Sequence, residues 1–309
     1  MMDWTDRHCR YFLRQISPQA FLYTEMITTG ALLHGDRERH LAFDPAEHPV
    51  AVQLGGSEPA ELAACAKLAA ERGYDEINLN LGCPSERVQR GAFGACLMAE
   101  PQLVADCVRA IKAAVPVPVS VKHRLGIDDI DSYAFVRDFV GTLADAGCGT
   151  FIVHARNAIL KGLSPKDNRE VPPLRYEQVY RLKRDFPQLE FVVNGGIASW
   201  PDIESHLAHV DGVMLGRAAY HDPWLLASPG LQRADVVRAM HRYAEREVAS
   251  GTALRHIARH MLGLYHGEPR ARLWRRMMSD APRLARNDPA LLLEALAAAH
   301  TAARVAAAA

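Results

Sequence analysis

No stretch of this 309-residue chain strings together the roughly 18 apolar residues that a membrane-crossing helix requires. The opening Met1-Met2-Asp3-Trp4-Thr5-Asp6 has neither the basic nor the apolar segment of a secretory leader, so a cytoplasmic location is expected. Six cysteines (Cys9, Cys65, Cys83, Cys96, Cys107 and Cys148) include no Cys-x-x-Cys pair, which indicates neither a disulfide framework nor a thiolate metal site. Net charge is lacking too, because 36 basic and 36 acidic side chains cancel. Spread evenly, that balance would argue against a polyanionic partner, since binding phosphates needs a positive field. What remains is an ordinary globular composition, 49% hydrophobic and 23% charged. The length accommodates two domains, or one α/β barrel with an appendage.

Short β-rich runs recur along the chain, and helical periodicity fills the gaps between them. Strands are expected at residues 20–26, 50–55, 76–83, 117–124, 150–156, 190–195 and 212–217, and helices at 59–72, 101–114, 133–146, 176–185 and 200–208. Strands alternating with helices imply βαβ units and a parallel sheet. An α/β barrel of the eight-stranded (β/α)8 TIM type and a doubly wound sheet both fit that alternation. The barrel is favoured because polar or reactive residues sit at the C-terminal ends of the strands: Gln53, Asn80, Cys83, Lys122, Arg124, His154, Arg156, Asn194 and Arg217. In a barrel those ends converge on one face.

Past about residue 233 the β signal stops. Residues 235–249, 253–264, 270–278 and 289–307 read as helices, separated by Gly- and Pro-containing stop and start signals. The expected organisation is a barrel over 1–232 and an all-α domain over 233–309. The neutral total then separates. Residues 231–309 hold 13 arginines, no lysine and seven acidic side chains, a net +6, and the rest of the chain carries −6.

Several strand ends carry residues with chemistry to offer. Asn194-Gly195-Gly196 and Gly216-Arg217 suit a phosphate, because glycine lets backbone N–H groups approach the oxygens and arginine supplies charge. Lys122, at the end of a buried strand, calls for an anion, an electron-rich ring or a carbonyl to attack, with a solvent-reaching ion pair as the plain alternative. His154 is either a ligand contact or a hydrogen-bonded structural histidine. Gln53 is a strand-end amide suited to an imide or a ring edge. In Asn78-Leu79-Asn80-Leu81-Gly82-Cys83-Pro84-Ser85, the thiol of Cys83 falls where strand turns into loop, placed to act as nucleophile or proton donor. Cys65, Cys107, Cys148 and Cys96 read as small buried hydrophobes.

These blocks, with Asp3–Arg7, Val52–Gly55, Val121–Arg124, His154–Arg156 and Leu160–Pro165, resemble the flavin-dependent tRNA-dihydrouridine synthases, and within them the A subfamily. The resemblance implies an FMN-holding barrel, NADPH as reductant, and a helical C-terminal domain that grips tRNA. It makes Cys83 the general acid that protonates C5 of a uracil while hydride reaches C6. It places Met1, Gln53, Lys122 and His154 against FMN, with Asn194, Gly195, Gly196, Gly216 and Arg217 about its phosphate. Asn80 would hold the base, and Lys166, Arg169, Arg272 and Arg275 would contact tRNA, with uridines 20 and 20a of the D-loop as targets. A monomer without protein partners is expected. In that family the first barrel strand precedes the Asp-Trp-Thr-Asp block, so one strand is expected to be missing here, leaving two sheet edges unpaired. Two other functions compete: a flavin barrel acting on a free pyrimidine, as in dihydroorotate dehydrogenases, and a tRNA-binding protein that has lost its flavin chemistry.

Overall fold

All seven expected strand segments form strands. In the computed structural model, which describes residues 1–300, they are β1 (Leu22–Thr28), β2 (Val50–Gly55), β3 (Glu76–Leu81), β4 (Val119–Arg124), β5 (Thr150–His154), β6 (Glu190–Asn194) and β7 (Gly212–Met214). They make one parallel sheet in the order β1-β2-β3-β4-β5-β6-β7. A doubly wound sheet reverses its order at a switch point, and this one never does. The architecture is therefore that of a TIM-type (β/α) barrel. Among the described residues no pairing joins β7 to β1.

The helices include, in chain order, α1 (Arg7–Ile16), α2 (Pro59–Arg72), α3 (Pro101–Ala114), α4 (Tyr133–Asp145), α5 (Tyr176–Asp185), α6 (Trp200–Leu207), α7 (Arg233–Ala249), α8 (Leu254–Ala258), α9 (Ala271–Met278) and α10 (Ala290–His300), with shorter helical turns between them. Local chemistry sets their limits. Proline opens the first turn of α2 and α3, and Gly73, with φ +99°, closes α2 in the left-handed region. Ser132 and Ser199 cap α4 and α6 by accepting backbone N–H groups. On α2 the residues Leu62, Cys65, Ala66 and Ala69 recur at helical spacing and are fully buried. The expected segment 289–307 is helical as far as His300, and residues 301–307 lie outside the described residues.

Two faces of the sheet differ. His123 meets Phe139 of α4 with ring centroids 5.4 Å apart, so the β4 residues on its side face the helices. The alternate positions on β3 and β4 carry Glu76, Asn78, Asn80, Ser120 and Lys122, which bond to one another or across to β2 and β6. Barrel interiors are commonly filled by branched aliphatic side chains, and here much of that space is polar.

The chain forms two compact units. One comprises Met1, Phe21–Phe43 and His48–Gly216, and the other Met2–Ala20, Asp44–Glu47 and Arg217–Ala309. The expected boundary after 232, with the N-terminal segment kept in the barrel, differs from this division. In the structure α1, which is not among the helices expected from the sequence, packs with the C-terminal helices. Asp6 caps it, Tyr11 stacks on Tyr243 of α7 at 3.9 Å, His8 bonds the Tyr243 hydroxyl at 2.7 Å, and Arg7 pairs with Glu247 at 2.6 Å. The core of this second unit includes Trp274 and Met278 of α9 with Leu291 and Leu292 of α10. It contains 17 arginines, no lysine and 12 acidic residues, a net +5.

Candidate active site

The loop after β3 is held from both sides. Asn80 Oδ1 accepts the backbone N–H groups of Gly82 (3.2 Å) and Cys83 (3.0 Å), which explains why the strand stops at Leu81 although the hydrophobic pattern continues to 83. From the other side the carbonyl of Cys83 accepts Ala95 N–H at 3.0 Å. This return is possible only because residue 94 is glycine: its φ is +76°, and a Cβ there would lie 2.7 Å from the Cys83 carbonyl oxygen. The Cys83 side chain is half-buried, with Sγ 3.5 Å from Ser85 Oγ. The other thiols sit differently. Burial pushes Cys65 up to about 11 and Cys107 and Cys148 up to about 12, and raises Cys96, whose Sγ lies 3.1 Å from the Phe93 carbonyl.

Cations gather at the same strand ends. Lys122, in register with Asn80, bonds Asn194 Oδ1 at 3.1 Å, and Asn194 in turn donates to the Met214 carbonyl at 2.8 Å. Among the described residues no carboxylate pairs with Lys122. Burial, followed by the neighbouring Arg124, pushes it down to about 8. Arg124 is buried and has carbonyls for partners: Gly82 (3.1 Å), Asn157 (3.1 Å) and Asn168 (2.8 Å). Burial drives His154 well below its ordinary value, and Arg124, Lys122, Arg156 and Arg169 drive it further, so its ring is neutral at pH 7. A site that holds several cations and keeps its histidine neutral is built for an anionic or electron-rich ligand.

Gly195 and Gly196 follow β6 with φ +117° and +74°. A Cβ on Gly195 would stand 2.6 Å from His154 Cδ2, and one on Gly196 would stand 2.6 Å from Leu174 Cδ1, so both positions need glycine for space as well as for conformation. Neither N–H is used in a hydrogen bond among the described residues, and consecutive free N–H groups of this kind suit phosphate oxygens. Gly216 faces Met1, whose Sδ lies 3.5 Å from where a Cβ would be. Arg217 begins the second unit, at the head of the short helix Arg217–His221. Gln53 sits at the same strand ends as Asn80, whose Nδ2 it accepts at 2.7 Å. A lysine without a carboxylate partner, free glycine N–H groups and a neutral histidine at one end of a barrel fit a flavin mononucleotide.

A model of the family described as Dihydrouridine synthase matches residues 1–302. The chain belongs to the dihydrouridine synthase family. The tRNA-dihydrouridine(20/20a) synthase of Salmonella typhi is 59% identical over 307 residues, covering 96% of this chain and 92% of that protein. The protein of the same name from Pseudomonas syringae is 59% identical (95% and 90%), and that from Escherichia coli K12 is 58% identical (96% and 89%).

For this dihydrouridine synthase, one residue that carries no motif in the sequence organises the segment between β5 and α5. Asn168 is fully buried, and its Nδ2 donates to the carbonyls of Ile159 (2.8 Å), Leu163 (3.3 Å) and Ser164 (3.3 Å) while its Oδ1 accepts Ile159 N–H at 2.7 Å. An asparagine in the middle of a long connection is the only signal the sequence offers for it. The fold it imposes leaves Lys166 and Arg169 on either side of it. Asn168→Ala is expected to lower unfolding stability by about 2 kcal/mol in urea melts, because several backbone groups lose their partner at once. In the other unit, α9 buries Trp274 and Met278 and exposes Arg272, Arg275 and Arg276, for which no acidic partner occurs among the described residues.

Proposed function

We propose that this enzyme reduces the C5–C6 bond of uridine in tRNA to dihydrouridine, at positions 20 and 20a of the D-loop, with FMN as its flavin and NADPH as reductant. The observation that carries the reading is the placement of Cys83: a half-buried thiol on an Asn80-capped strand end, within electrostatic reach of Lys122 and Arg124. The names and high identity of the relatives support the same substrate. A bound FMN supplies hydride for C6 of the uracil. Everything else falls to this chain's residues. Cys83 gives the proton to C5, as a neutral thiol does for a developing enolate. Asn80 holds the base, Gln53 and Lys122 hold the flavin ring with Lys122 opposing negative charge on it, and His154 and Met1 complete the ring's surroundings. Asn194, Gly195, Gly196, Gly216 and Arg217 hold the phosphate.

The target base has to leave its stack to be reduced. Lys166 and Arg169 would hold the tRNA backbone from the barrel unit, and Arg272 and Arg275 from the helical unit, through contacts that do not read sequence. A free pyrimidine would give the arginine face of α9 no role. We further propose a cytoplasmic monomer; no helix among the described residues is long and apolar enough to cross a membrane. Replacing Arg272 and Arg275 together by alanine is expected to weaken tRNA binding. It should flatten the slope of log K against log salt by about 0.7–0.9 for each phosphate that is no longer neutralised. A titration series from low to high salt checks this, and an unchanged slope would place the RNA elsewhere.

A further inference from the structure

A chain of hydrogen-bonded side chains runs along the polar face of the sheet and ends on the backbone of the Cys83 loop. Asn80 Oδ1 accepts the N–H groups of Gly82 and Cys83. Backbone N–H groups can only donate, so Asn80 must turn its Nδ2 away from them, and it donates to Gln53 Oε1 at 2.7 Å. Gln53 is left with Nε2 for Asn78 Oδ1 (2.8 Å), and Asn78 with Nδ2 for Ser120 Oγ (2.7 Å). The Ser120 hydroxyl has its proton free for Glu76, which accepts it and also accepts the hydroxyl of Tyr23. Donors fix one end of the chain and a carboxylate acceptor fixes the other. Each amide between them has one allowed orientation, since a flip of Gln53 or Asn78 would set like groups face to face on both sides.

Glu76, Asn78 and Ser120 are buried, and Asn78 and Ser120 have no exposed surface at all. Polar groups in such a place are tolerated when every bond is made, and a network so satisfied is rigid. We propose that Glu76, Ser120 and Asn78 are positioning residues, which act through Gln53 and Asn80 to orient both amides at the strand ends and to hold the loop that carries Cys83. The inference rests on the proposed roles of Cys83, Asn80 and Gln53. It also deepens them. Asn80 Nδ2 and Gln53 Nε2 each keep one hydrogen, so both amides meet their ligands as donors, which matches the carbonyl oxygens of a uracil or a flavin and mismatches an exocyclic amine.

The test uses the full chain with FMN and a tRNA transcript. Two quantities are read: hydrogen exchange of the peptide holding the Gly82 and Cys83 amides, and steady-state dihydrouridine formation. Ser120→Ala is expected to speed exchange of that peptide and to lower kcat, each about tenfold, with KM for tRNA and exchange in β6 unchanged. Ser120→Thr, which keeps the hydroxyl, should restore both. Wild-type exchange in Ser120→Ala, or no rescue by threonine in a chain that exchanges normally in β6, would overturn the proposal. If Ser120→Ala does not fold, Glu76→Gln and Glu76→Leu decide on the exchange readout. The amide keeps an acceptor for Ser120 and should behave as wild type, and leucine should not. A wild-type enzyme that makes no dihydrouridine would refute the proposed function, while the exchange measurement still judges the chain.

Discussion

Cys83→Ala is expected to reduce dihydrouridine formation by about 10²–10⁴-fold, the usual worth of a positioned general acid, while tRNA affinity and bound flavin stay within twofold of wild type. The separation is expected because the loop does not depend on the thiol. Asn80 holds the backbone of residues 82 and 83, Ala95 N–H holds the Cys83 carbonyl, and Arg124 holds the carbonyl of Gly82. The sulfur itself has Ser85 Oγ as a polar neighbour at 3.5 Å. Removing it takes away a proton and leaves the scaffold. Single-turnover measurement with prereduced enzyme is the check, since it reports the chemical step without flavin reduction. Cys83→Ser should be nearly as slow as alanine, because a hydroxyl is a far weaker acid than a thiol.

Lys122→Met is expected to act in opposite directions on folding and on the flavin. A cation pushed down to about 8 by burial disfavours the folded state of the flavin-free chain. The sign follows from proton counts. Between pH 8 and 10.5 the unfolded chain keeps the Lys122 proton that the folded chain has lost, so wild-type stability from this group rises with pH across that window and is lowest below it. Methionine, similar in length and uncharged, should make the flavin-free chain more stable at pH 7 by roughly 1–3 kcal/mol and remove the rise. The same change should lower the midpoint potential of bound FMN by about 30–60 mV, because a cation that favours the reduced ring is gone. Chemical unfolding at pH 7 and pH 10, and a dye-coupled potential titration, measure the two effects. A destabilised variant with an unshifted potential would mean that Lys122 serves the fold and not the flavin.

Much of the barrel is legible in the sequence because its punctuation is local. Pro59 and Gly73 place the helix over 59–72 to the residue, and an apolar run interrupted only by Gln53 and ending in glycine places the strand over 50–55. Candidate residues at strand ends are legible for the same reason: β3, β4, β5 and β6 all finish within two residues of a side chain able to do chemistry. Tertiary exchanges are not legible. In α1 the residues Cys9, Phe12, Leu13 and Ile16 fall at helical spacing behind the Asp6 cap, but the pattern does not reveal that the buried His8, Arg10 and Arg14 are satisfied by Tyr243, Glu47 and backbone carbonyls. Glu76, Asn78 and Ser120 alternate with apolar residues as they would on a half-solvated strand, so their burial inside the sheet depends on pairing that one strand does not reveal. Arg124 reads as a strand-end charge, and its bonds to Asn157 and Asn168 come from a loop more than 30 residues away. Nor does the charge total show that lysine is confined to one compact unit and absent from the other.

The most direct measurement is the dihydrouridine content at positions 20 and 20a of tRNA from cells lacking the gene, complemented either with the wild-type chain or with Cys83→Ala at equal abundance. Restoration by the wild type and not by the alanine variant is the expected result. Full restoration by Cys83→Ala, or none by the wild type, would contradict the account.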